Sequence, residues 1–219
     1  MRVGSIFLSI VLFSMLSFPA SAAYEWNNEI TLHTEGMIWE YTEKYSDNRS
    51  IIFKAFIDAE FGDNDGFVSA WELLKTDVQT TKAFFSSIED KMDVKIDNSS
   101  KNITLLSVES NMSSELIGPI NEERDIVNNY QVFYDFKKPL KESDSSMWFQ
   151  GEPETDVTIN LPSEINFISI DGIDDEFIIE DSYGTHISGE FGFIGEITMN
   201  ISAEALPVQD KDVTELFHP

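Results

Sequence analysis

Between residues 30 and 41 apolar and polar side chains alternate: Ile30 and Leu32, then Met37, Trp39 and Tyr41, on either side of Thr34-Glu35-Gly36. A period of two puts those residues on one face of a strand, and the glycine-containing gap reads as a short turn, so the segment predicts a β-hairpin. Ile51, Ile52, Phe53, Phe56 and Ile57 follow in close succession and predict a short, densely apolar helix. Leu74, Val78, Phe85, Ile88 and Met92 then recur at helical intervals. They predict one apolar face, buried against a sheet, of a helix about 23 residues long.

From residue 93 the period returns to two. Segments 102–109, 127–136, 146–150, 155–160, 165–170, 176–181 and 193–203 alternate or are rich in β-branched residues, with Gly, Pro, Asp or Ser between them. They predict strands, spaced as in a sandwich or barrel-like sheet. The predicted class is α+β: an N-terminal β-hairpin, a helix–loop–helix, then an antiparallel, β-rich, sandwich-like C-terminal part. The polar run KKPLKESDSS, residues 137–146, marks where a sub-boundary would fall. Neither side of it offers a complete sheet, so residues 23–205 read as a single α+β domain and 206–219 as a C-terminal tail.

The N-terminus assigns the compartment. Arg2 precedes an apolar run over residues 6–18, then Pro19 and the small triplet Ala20-Ser21-Ala22. This pattern predicts a signal peptide over residues 1–22, cleaved after Ala22, with an uncleaved anchor as the alternative. The apolar run is shorter than the roughly 20 residues a spanning helix needs, and no later stretch reaches that length. An extracellular or cell-surface location follows, with no transmembrane segment after cleavage. There is no cysteine, which excludes a disulfide framework and a lipid-modified thiol. Sequons at Asn48, Asn98, Asn102, Asn111 and Asn200 imply exposed positions if the host glycosylates exported chains.

Charge narrows the partners. Forty acids against 14 Lys and Arg give a net charge of −26, which repels nucleic acid and anionic lipid and draws in cations. The simplest use of such a surface is solubility at high ionic strength. With 42% hydrophobic residues, the chain can still bury a sizeable core.

The acids have one ordered arrangement. Residues 62–72 read GDNDGFVSAWE. With Gly66 at the sixth position of a twelve-residue calcium loop, Asp63 and Asp65 fall at positions three and five, and Glu72 falls at twelve. The Phe67 carbonyl would supply the seventh-position ligand, and Val68 would face inward. Carboxylates two residues apart suit a hard cation that wants six to eight oxygens, and glycine permits the sharp bend. With FKAFIDAEF ending a helix before it and AWELLKTDV starting one after it, the stretch resembles the EF-hand family over residues 53–74. That resemblance implies a bound calcium ion, with Glu72 binding through both oxygens. The first position, an aspartate in the family, is Phe61 here, which leaves Asp58 and Glu60 as alternative substitutes. The same residues also fit a metal-free capped turn, because Ser69-Ala-Trp-Glu72 has the form of a capping box. More loosely, the signal peptide, the IDAEFGDNDGFVS loop and strands such as DVTINLP together resemble archaeal cell-surface proteins of unassigned function.

Other chemistry is thin. DGIDDEF at 171–177 clusters acids but reads as a β-turn, and His33, His186 and His218 are scattered without metal-ligand spacing. No nucleophile elbow, phosphate loop or dinucleotide fingerprint occurs, so a hydrolase reading has no motif behind it. The expected function is a secreted or cell-surface, non-enzymatic protein whose calcium loop is structural. The alternative is a metal-free adhesion or envelope-assembly module that binds a protein or glycan partner through its sheet.

Overall fold

The alternation at residues 30–41 becomes a long hairpin. In the computed structural model, which describes residues 24–202, β1 (Tyr24–Leu32) pairs antiparallel with β2 (Gly36–Tyr45), from Tyr24↔Tyr45 to Leu32↔Met37. The expected signal peptide (1–22) and C-terminal tail (206–219) lie outside the described residues. His33 N donates to Gly36 O across the turn at 2.8 Å. Gly36 is needed for close approach: a β-carbon there would lie 2.4 Å from the Tyr134 carbonyl oxygen.

Helix α1 (Asp47–Phe61) follows, then the two-residue strand β3 (Phe67–Val68) and helix α2 (Ala70–Asp90). The strands after them are β4 (Val94–Ile96), β5 (Ile103–Asn111), β6 (Gly118–Pro119) and β7 (Ile126–Phe136). The last six are β8 (Ser145–Gln150), β9 (Asp156–Pro162), β10 (Asn166–Asp171), β11 (Ile173–Glu180), β12 (Gly184–Phe191) and β13 (Glu196–Ser202). They form a seven-stranded sheet in the order β11-β12-β9-β1-β2-β7-β5, a four-stranded sheet β10-β13-β8-β4, and the small pair β3-β6. The class is α+β, rich in strand and largely antiparallel. Among the described residues β1–β9 is the one parallel pairing. No described helix is long and apolar enough to cross a membrane.

The two larger sheets share one core. Trp39, Val132, Ile159 and Ile187 of the seven-stranded sheet and Met147, Phe149, Ile197 and Met199 of the four-stranded sheet are all fully buried within it. Trp39 lies at its centre, stacked on Tyr41 at 5.0 Å and on Phe191 at 6.3 Å, and edge-on to Phe149 at 6.1 Å. Its indole Nε1 donates to Asn28 Oδ1 at 3.3 Å, and Trp26 Nε1 donates to the same oxygen at 3.2 Å. Asn28 Nδ2 in turn donates to the Asp156 carbonyl and the Thr155 hydroxyl, which fastens β1 to the start of β9. Asp93, just past α2, accepts hydrogen bonds from the Tyr41 and Tyr134 hydroxyls at 2.9 and 2.7 Å. Burial raises the Asp93 carboxyl above the usual range, and these hydrogen bonds only partly offset it.

Several expectations need correction. The acids of DGIDDEF do not form one turn: Gly172 makes the left-handed link at φ +88°, and Asp174 to Glu176 lie within β11, where the register shifts before Phe177. The predicted strand 193–203 starts at Glu196, because Gly192 to Gly195 turn the chain. Strands β4 and β12 were not anticipated. Within segment 137–146, Leu140 is buried in the main core, and its N–H donates to the Thr34 carbonyl of the hairpin turn at 2.8 Å.

The helix α2 strip is also not as expected. Ile88 is buried and Phe85 and Met92 pack on the main core, but Leu74 and Val78 are 49% and 59% exposed. A straight stripe presumes one partner surface, and α2 has two. Its first turns bury Glu72, Leu73 and Thr76 toward α1 and the loop, whereas its last turns bury Phe84, Phe85 and Ile88 against the sheets. The buried line therefore winds around the helix. Met92 lies beyond the helix end at Asp90.

Two measurements test this packing. Ile88→Ala should cost about 2–5 kcal/mol in urea unfolding, whereas Leu74→Ala and Val78→Ala should each stay within about 0.5 kcal/mol of wild type. Asn28→Ala, which leaves the buried Trp39 N–H without its acceptor, should cost about 1–3 kcal/mol.

Candidate metal-binding loop

The loop between α1 and α2 is organised by Asp58. This residue is buried on the last turn of α1, on the face that also buries Ser50, Lys54 and Ile57. Its main-chain carbonyl accepts from Gly62 N at 3.1 Å and Asn64 N at 3.3 Å, and so continues the helix end into the loop. Its carboxylate accepts from Asp65 N at 3.2 Å and Gly66 N at 2.8 Å. One residue thus gathers four backbone amides. Asn64 and Gly66 take left-handed conformations, at φ 59° and 87°, which glycine and asparagine adopt most cheaply.

The loop then closes. Asp65 Oδ1 accepts from Phe67 N at 2.9 Å. Phe67 and Val68 pair with Pro119 and Gly118, and Ile120 N donates to Gly66 O at 3.0 Å. Val68 faces inward, into a second small core with Tyr45, Ile57, Leu116 and Ile126, while the Phe67 side chain is exposed. The Lys75 ammonium donates to the Phe61 carbonyl at the end of α1.

Of the six residues considered as ligands, three come together. One carboxylate oxygen each from Asp58, Asp63 and Asp65 lie within 4.8 Å of one another, with Asp58 buried and the other two exposed. Glu60 is exposed and outside this group. Glu72 is buried and forms a capping box instead: Ser69 N donates to Glu72 Oε2 at 2.8 Å, and Glu72 N donates to Ser69 Oγ at 3.3 Å. Its second oxygen lies against Gly62, where a β-carbon would come within 2.6 Å of it. The Phe67 N–H donates to Asp65.

The electrostatics of the trio are unfavourable as it stands. Three carboxylates at this separation repel by about 1 kcal/mol per pair even in water-like surroundings. They also sit at the C-terminal end of α1, where the helix dipole adds roughly half a negative charge and the last turn holds no basic residue. A divalent cation between them would add attractive terms that outweigh this repulsion. Three acidic oxygens, leaving room for water and a carbonyl, suit calcium, which takes oxygen ligands at flexible geometry. No family model matches the chain, and no curated protein matches it.

A second acidic group lies near the small core. Glu43, inward-facing on β2, is buried and accepts from the Tyr45 hydroxyl at 3.2 Å, while Tyr45 stacks on Phe53 of α1 at 4.5 Å. Burial pushes the Glu43 carboxyl from 4.5 up to about 7, against the pull of hydrogen bonds from Tyr45, Asn128 and Tyr130. Between those two values the folded protein holds a proton that the unfolded chain releases. Stability contributed by Glu43 is therefore full below pH 4.5 and lost as pH rises to about 7. The loss amounts to about 3 kcal/mol. Asp93, also raised, acts in the same direction. Glu43→Gln should keep the shape and remove this term. The stability difference between variant and wild type should shift in favour of the variant by a few kcal/mol between pH 5 and pH 8. A difference constant across that range would show that Glu43 titrates normally.

Proposed function

We propose that the protein is an exported or cell-surface, non-enzymatic protein whose α1–α2 loop binds one calcium ion in an EF-hand-like manner and thereby holds the two helices together. One observation carries the reading: the convergence of the Asp58, Asp63 and Asp65 carboxylates at the C-terminal end of a helix. In this reading Asp58, one turn earlier, replaces the aspartate missing at Phe61. Asp63 and Asp65 supply the other two carboxylates, and the Phe67 carbonyl and water complete the sphere. Glu72 stays in its cap, positioning α2 without binding the ion. The competing reading is a metal-free module with a capped turn. It is favoured by the complete capping box and by the two amides that already bond the Asp58 carboxylate.

Thermal unfolding with and without calcium separates the two. A loop with three carboxylates should bind at about 0.1–1 mM, in the range of extracellular modules. Calcium at ten to a hundred times that value should stabilise the wild type by about 1.4–2.7 kcal/mol. Asp63→Asn with Asp65→Asn should abolish the response. Glu72→Gln should lower stability by about 1 kcal/mol with or without calcium and leave the response intact. Equal stabilisation by magnesium, unaffected by the double substitution, would reduce the effect to screening of the surface charge and leave the metal-free module.

A further inference from the structure

The outward face of the seven-stranded sheet is a trough of about 850 Å³, distant in sequence and element from the calcium loop. The strand register lays its side chains in rows. One row runs Ser188, Thr158, Glu29, Glu40, Gln131 and Glu109, from β12 across to β5. The adjacent row sets Glu190 opposite Asp156 and continues through the amides and hydroxyl of Asn27, Thr42 and Asn129.

Two features of this ladder are costly without a ligand. Glu29 lies directly opposite Glu40, and Glu190 directly opposite Asp156. Opposed like charges destabilise a sheet, and neither row contains a lysine or arginine to relieve them. Lys44, one row further on, is held by Glu25 at 3.2 Å. The neighbours are arranged around the acids: Gln131 donates its amide to Glu40, Asn160 donates to Glu29 at 3.0 Å, and Thr42 donates to Asn129 at 2.9 Å.

The acids do not converge as a metal site does. Among the described residues only the loop trio brings three acidic oxygens within 4.8 Å of one another. In the trough the charges are spread over six strands, about 24 Å at the usual strand spacing. Phe177 of β11 continues the first row beyond Ser188 and is 60% exposed, which offers a ring face to a cation.

We infer that this trough docks an extended basic segment of a partner protein, whose Lys or Arg side chains meet Glu29, Glu40, Asp156 and Glu109. Charge complementarity selects this occupant. A neutral glycan would leave both like-charge pairs unrelieved, and an anionic ligand would be repelled. Amides on the trough floor supply donors and acceptors for the peptide backbone, and the repulsion built into the empty ladder is relieved on docking. The inference does not rest on the calcium reading, and the loop acids take no part in it.

The test uses a synthetic peptide of alternating Lys and Ser, about ten residues long so that it spans the trough when extended. Its binding to the full chain is measured by fluorescence anisotropy at low salt, with calcium chelated. Glu29→Gln, Glu40→Gln and Glu109→Gln together should weaken binding at least tenfold. Glu89→Gln, Asp90→Asn and Glu164→Gln, which remove the same charge from exposed positions elsewhere, should change it less than about twofold, because they act on the peptide only through the long-range field and not by contact. The trough variant should fold at least as stably as wild type, since one opposed pair has gone. Equal weakening in both variants would assign the binding to net charge and overturn the inference. So would absence of peptide binding, or binding of a neutral oligosaccharide that the peptide does not displace.

Discussion

The hydrogen bond from Trp39 to Asn28 sits where the two larger sheets meet. Trp39 is fully buried on a central strand and touches aromatic rings from both sheets. An indole so placed gives its burial energy only if its N–H finds an acceptor, and Asn28 supplies it while its amide reaches across to β9. That one asparagine, at 3% exposure, satisfies two tryptophans and couples the hairpin to the C-terminal strands. The apolar packing around it gains its register from this polar group.

Polar residues recur at the other joints of the core. Asp93 ties the end of α2 to Tyr41 and Tyr134, and Glu43 borders the small core beneath the loop. Burial raises the carboxyl of each above its ordinary range, so each gives orientation at some loss of stability at neutral pH. Asp58 is different: it gathers amides and remains beside two further carboxylates. The first two solve packing problems internal to the fold. The third leaves an electrostatic problem open to a cation.

How much of this was legible varies with the physics. The hairpin and most strands were readable because one buried face imposes a period on the residues themselves. Helix α1 was found by its apolar density alone, since its buried face is Ser50, Lys54, Ile57 and Asp58. Strand β12, GTHISGEF, was not readable, since Gly184 and Thr185 fill its first buried positions and Gly189 stands where an apolar side chain would fall between Ile187 and Phe191. Helix α2 was found but mis-phased at Leu74 and Val78, because periodicity cannot report that a helix changes partners midway. At the loop, spacing from Gly66 identified Asp63 and Asp65, and the Ser69–Glu72 cap was visible as a pattern. The choice between Asp58 and Glu60 was not. Asp58 shares its buried face with Ser50 and Lys54, polar residues that a search for apolar stripes passes over.

The parallel pairing of β1 with β9 has a consequence for the order of assembly. The first strand lies inside the seven-stranded sheet, and its second neighbour arrives about 130 residues later, as the Asn28–Thr155 bond records at a separation of 127. Contacts of that span are slow to form, because loop closure precedes any gain from them. Until β9 is present, the half-sheet β1-β2-β7-β5 presents one face of Trp39 and a bare edge on β1 to the solvent. A chain stopped after β8 would therefore keep an adhesive edge. The last third of the polypeptide acts as the closing clasp for the first strand, and the β1 edge is covered only when nearly all of the chain is available.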